Sequence, residues 1–147
     1  MTISNKVSLL LMAGFMVFAF LVGMDTQTIL WHWAMFAVVL LGGFSLFAFN
    51  IIGGGDAKLA AATSLWLGWG LVAPYLLYAS ILGGLLTLIM LKFRSQVLPG
   101  SLQRVEWIDR LHNKENGVPY GIALGISAVF VYPQTIWMDH IRSVVSF

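Results

Sequence analysis

The chain has 147 residues, 59% hydrophobic and 10% charged, with no cysteine and a formal net charge of +2. Soluble domains carry about 25% charged residues, so this composition excludes a water-soluble globule. Without cysteine there are no disulfides, thiolate catalysis or zinc–thiolate sites, and with no basic patch the small charge argues against a nucleic-acid partner.

The apolar runs are continuous rather than alternating, which predicts helices over a barrel. The expected fold is an all-α polytopic bundle, one membrane domain over residues 1–147, in contact with the lipid bilayer. Taken in chain order, apolar runs predict helices over 7–24 ("VSLLLMAGFMVFAFLVGM") and 30–52 ("LWHWAMFAVVLLGGFSLFAFNII"). A third helix is expected over 57–72, about 24 Å long at 1.5 Å per residue and so short for a full crossing. Its start is expected to be recessed into the membrane face. The fourth and fifth helices are expected over 74–91 and 119–137, each near the roughly 20 residues that a crossing needs. The start of the chain lacks the features of a signal peptide, having only Lys6 before its first apolar run and no small-residue cleavage site after it. Gly42–Gly43 and Gly83–Gly84 lie mid-span, where small residues let helices approach closely. His32, in "WHW", reads as part of an aromatic belt.

Lys6, Lys58, Lys92, Arg94, Arg104, Arg110 and Lys114 share one side if five spans alternate, and Arg142 lies on the other. This bias predicts a cytoplasmic N-terminus, a cytoplasmic turn at 53–56 and a cytoplasmic 92–118 loop. Asp25, a turn at 68–73 and the C-terminal tail are then outside. Within the loop, "SLQRVEWIDRLHNK" puts Leu102, Val105, Trp107, Ile108 and Leu111 on one arc, consistent with a short amphipathic surface helix or a solvated loop. Glu106 and Asp109 read as solvated partners of Arg104 and Arg110.

The chemistry concentrates in Gly53-Gly54-Gly55-Asp56, with Lys58 close behind. An ionisable side chain at membrane depth costs several kcal/mol and marks a functional position by default. The glycines let other groups approach the backbone closely. Asp56 also falls where a helix begins, so its carboxylate has a second reading as an N-cap. A phosphate cradle is disfavoured, since "GGGDAK" lacks the G-K-[ST] ending.

"GGGDAKLAAATSLWLG" resembles the second aspartate motif, G-x-G-D, of the type IV prepilin peptidases, and most closely that of the short members serving tight-adherence (Flp) pili. "NGVPYGIALGISAVFVYP" is similar to the family's V-P-Y-G-[IV]-A stretch at its last helix. "MTISNKVSLLL" resembles the stretch that follows its first aspartate. The resemblance implies an intramembrane aspartic endopeptidase of the bacterial inner membrane that removes prepilin leaders at the cytoplasmic face, with no cofactor and no metal. It implies Flp-type prepilin as substrate and other pilus-assembly proteins as partners. On the site it implies Asp56 as a catalytic carboxyl, Gly53, Gly54 and Gly55 as active-site backbone, and Lys58, Pro119, Tyr120 and Gly121 as neighbours.

One departure stands out. The family's first aspartate lies just before the stretch matched by Ile3-Ser4-Asn5, and here only Met1 and Thr2 come before it. Asp25 falls on the opposite side, about 30 Å from Asp56, and cannot replace it. Two explanations are open: a start codon assigned too late, with an aspartate and an apolar helix encoded upstream, or a truncated product. The alternative function is then a catalytically inactive membrane scaffold derived from the family.

Overall fold

The computed structural model describes residues 4–96, 105–113 and 117–145, and no β-strand occurs among them. Helix α1 (Asn5–Leu21) is opened by Ser4, whose hydroxyl accepts from the Lys6 N–H at 3.3 Å. It closes three residues earlier than its apolar run predicts, because Gly23 takes a left-handed φ of 67°. The Met24 N–H then reaches back to the Ala19 carbonyl at 2.9 Å, a Schellman closure. Asp25 immediately caps α2 (Thr26–Ala48), accepting from the Thr28 N–H at 2.9 Å and the Thr28 hydroxyl at 2.7 Å. This helix begins four residues before the predicted start and ends four before the predicted end. Asn50, left-handed at φ 56°, stops it.

Helix α3 (Gly54–Ser95) holds both the third and fourth predicted helices. They are separated at Gly68 (φ 66°, ψ −175°), not at the expected 72–74 boundary, and Pro74 lies inside the second arm. Asp56 and Ser80, each twelve residues from Gly68, line one cavity, so the two arms fold back on each other as a hairpin.

The break falls at the first residue of the expected 68–73 turn, and Gly68 itself is buried. A helix end leaves carbonyls without partners, and a buried polar group must be satisfied within the protein. Here side chains do this. His32 Nδ1 donates to the Leu65 carbonyl at 2.6 Å, and Trp137 Nε1 to the Trp66 carbonyl at 2.8 Å. Because the acceptor is a carbonyl, His32 carries a proton on Nδ1. His32 is therefore a buried helix cap rather than a belt residue, packed against the rings of Phe15 and Trp137.

Helix α4 (Glu106–His112) is shorter than the expected amphipathic segment. Leu102, Arg104 and the Arg110 side chain, with the ion pairs expected of the two arginines, lie outside the described residues, as do Met1–Ile3 and Asn116. Helix α5 (Tyr120–Val131) stops well short of the predicted 137. Pro133 turns the chain through a 3-10 segment (Tyr132–Gln134) into α6 (Ile136–Val145), bent by 49° from α5. The proline has no N–H to continue the α-helical ladder.

The two arms of α3 form the centre, flanked by α2 and α5, with α1 against the first arm. Met35, Leu67, Val72, Tyr75, Leu124 and Val131 fill the core between them. Outside, Leu10, Phe20, Leu41, Ile81, Leu88, Val129 and Phe130 are exposed. Such a belt of bare apolar side chains suits lipid, not water. α2 and α3 are each long and apolar enough to cross a membrane, and α1 is a shorter apolar helix. The molecule is an all-α membrane protein.

Candidate active site

Gly53 is the N-cap of α3 and makes no side-chain cap, so Asp56 is the third helical residue and not the cap. Its carboxylate instead folds back over the glycine. A Cβ on Gly53 would lie 2.9 Å from Asp56 Oδ2, a contact that real side chains do not make. Gly54 has a similar role against Phe47, whose ring carbons would lie 3.3 to 3.5 Å from an added Cβ. Gly55 is half-buried in the same turn. At the residue after the motif, the fit between helices is equally close, with a Cβ on Gly43 meeting that of Ala57 at 2.9 Å.

Asp56 lines a cavity of about 170 Å³ with Leu46, Ala60, Leu76, Ser80, Tyr120 and Leu124. The walls are mostly hydrocarbon, and the carboxylate is the charged group among the lining residues. The opposite wall comes from the chain's other predicted motif. Val118-Pro119-Tyr120 is an inverse γ-turn, with Pro119 at φ −76°, ψ 73° and the Tyr120 N–H donating to the Val118 carbonyl at 2.8 Å. The turn starts α5 so that the N–H of Gly121, one of the helix's orphan donors, is directed at the Asp56 carboxylate. The positive end of α5 is thus directed at the negative group.

Asp56, Gly53, Tyr120 and Gly121 therefore come together, although 63 residues lie between Asp56 and Tyr120. Lys58 turns away, its Nζ donating to Asn5 Oδ1 at 3.2 Å, and so ties the GGGD helix to the start of α1. Asp25 is at the far end of α2, about 35 Å of helix from the site. Among the described residues no second carboxylate lines the cavity, and no three His, Asp or Glu side chains group closely enough to hold a metal ion.

Thr87 and the buried role of Arg94 were missed from sequence, while Gly83 is one of the close-packing positions expected there. Gly83 and Thr87 hold Tyr120 from the second arm of α3. Arg94 counts as one of many loop cations in the charge pattern, yet it is buried. Its Nε donates to the Leu111 carbonyl at 2.8 Å and its Nη2 to the Gly117 carbonyl at 3.3 Å, tying α4 and the approach to Pro119 onto α3. His112 adds to this joint through Nε2 to the Gln96 carbonyl at 2.9 Å. No spacing rule marks such long-range carbonyl partners in advance.

The model of the type IV leader peptidase family matches residues 1–88. No curated protein and no solved structure matches the chain. The matched stretch includes α1, α2, the Asp56 turn and both Gly83 and Thr87, while the Pro119–Gly121 wall of the cavity lies beyond it. Since it takes in more than half of the chain, and in it the residues that set the carboxylate at the helix start, the chain belongs to the type IV leader peptidase family.

Proposed function

We propose that this chain is an intramembrane aspartic endopeptidase of the bacterial inner membrane, spanning it several times and cleaving the leaders of Flp-type prepilins at the cytoplasmic face. The observation that carries the reading is the Asp56 carboxylate, set over Gly53 at the head of α3 and open to an apolar cavity. Family membership and the excess of Lys and Arg on one side support it.

Peptide hydrolysis by carboxyl groups needs two of them. One, ionised, takes a proton from water; the other, protonated, polarises the scissile carbonyl. Two close carboxylates share one proton because both cannot ionise. Asp56 supplies one, and the second is brought to the cavity by a segment outside the described residues or by another subunit, since among the described residues no other carboxylate lines it. The apolar walls keep water scarce, which strengthens each electrostatic contact inside. Flp prepilin is the substrate, and other pilus-assembly proteins are the partners.

The test is cleavage of a prepilin in proteoliposomes by the protein extended upstream. Asp56→Asn should reduce cleavage to background while the protein stays folded, because Asn keeps the shape and loses the titratable group. Cleavage retained by a folded Asp56→Asn protein overturns the assignment. The alternative, a scaffold without activity, is favoured by the single carboxylate that lines the cavity among the described residues. It predicts that the extended protein does not cleave at all.

A further inference from the structure

We propose that Thr87 and Gly83 are positioning residues for Asp56, acting through Tyr120 and Gly121. The inference rests on the reading of Asp56 as a catalytic carboxyl. Neither residue belongs to the GGGD or the VPYG motif, and both are on the second arm of α3, facing the first turn of α5.

The Tyr120 ring is held at two points. Its edge lies on bare backbone at Gly83, where an added Cβ would be 2.6 Å from Cε1 and 2.9 Å from Cδ1. Its hydroxyl meets the Thr87 hydroxyl at 3.0 Å. The direction of that bond follows from proton counting. Thr87 has a single hydroxyl proton and directs it to the Gly83 carbonyl at 2.8 Å. Thr87 can then only accept, so Tyr120 donates. One threonine thereby joins the ring's resting place and the ring's polar tip in a single arrangement.

Tyr120 is the first residue of α5, between the γ-turn at Pro119 and the orphan N–H of Gly121. Fixing its ring fixes the rotation of that first turn, and with it the N–H that faces the Asp56 carboxylate. Tyr120 and Asp56 also line the same cavity. A purely structural role would ask only that position 87 fill its volume, which valine does as well as threonine. The positioning role asks for the hydroxyl.

The test needs no protease activity. A hydrophobic carbodiimide, dicyclohexylcarbodiimide, modifies protonated carboxyl groups in apolar surroundings, and mass spectrometry of the Asp56 peptide measures the adduct. The 147-residue protein is reconstituted in vesicles and labelled near neutral pH. A carboxylate that loses an N–H donor takes up a proton more readily. Thr87→Val and Tyr120→Phe should therefore each raise the initial labelling of Asp56 by about three- to tenfold. Thr87→Ser should label like the wild type, and the Thr87→Val/Tyr120→Phe double variant no faster than either single one, since both remove the same bond. Labelling of Thr87→Val equal to wild type, or of Thr87→Ser equal to Thr87→Val, overturns the positioning role while leaving Asp56 its own. A wild-type Asp56 that takes no label from acid to neutral pH overturns the reading of Asp56 as a titratable catalytic carboxyl, and the inference with it.

Discussion

At Gly53 one missing methyl group decides where a charge sits. The Asp56 carboxylate occupies the space that a Cβ would fill, so Gly53→Ala should swing the carboxylate out of line with the Gly121 N–H. Alanine is a somewhat poorer N-cap than glycine, and the stability lost should stay below about 1 kcal/mol. In the upstream-extended protein, cleavage should fall at least about tenfold, well beyond what that loss of stability explains. A prepilin assay beside a thermal melt in detergent checks both halves of the statement. The Gly-Gly-Gly-Asp run and Val-Pro-Tyr-Gly were legible as special because their residue types are costly or rigid where they stand. That Asp56 is the third helical residue, not the cap, was not legible, because the cap position depends on where the backbone turns helical. Thr87 was invisible for a different reason: its partner is 33 residues away, and nothing local marks it.

Helix α3 owes its hairpin to Gly68, whose φ of 66° and ψ of −175° are open to glycine almost alone. Gly68→Ala should cost about 1–3 kcal/mol in backbone strain. A further penalty should come from the His32 ring, since an added Cβ would lie 2.9 Å from Cε1. His32→Phe keeps the ring but strands the Leu65 carbonyl, and should cost about 1–3 kcal/mol. Denaturation of the detergent-solubilised variants measures both. At the start of α2, the hydroxyl and N–H of Thr28 hold the Asp25 carboxyl below its usual range. A lowered native pKa stabilises above the unfolded value and is lost as pH falls through the native one. Amide exchange over residues 26–29, corrected for its intrinsic pH dependence, should therefore quicken in acid, and Asp25→Asn should remove that response. The helices themselves were legible as apolar runs of the right length. Their ends were not, because hydropathy does not register the stop signals at Gly23, Asn50 and Pro133 or the start signal at Asp25. The turn at 68–73 was legible, but its sharp point was not, with Pro74 the louder punctuation nearby and Gly68 one of 15 glycines.

For the whole molecule, the charge pattern and the hairpin together predict that α4 and α6 face opposite sides of the membrane. Glu106 and Ser143 are exposed sites in a chain without cysteine, so Glu106→Cys and Ser143→Cys should react with a membrane-impermeant maleimide from opposite sides of oriented vesicles. Reaction of both from one side would overturn the alternation of spans. The caps at the Gly68 break also impose an order on synthesis. His32 is already made when Leu65 leaves the ribosome, but Trp137 follows Trp66 by 71 residues. For the time it takes to translate the second arm, α4 and α5, the Trp66 carbonyl waits for its donor, and the hairpin is inserted in a provisional form. Helix α6 thus locks a centre built from helices made before it, so a ribosome stalled before codon 137 leaves the Trp66 carbonyl without its donor and the core unfinished.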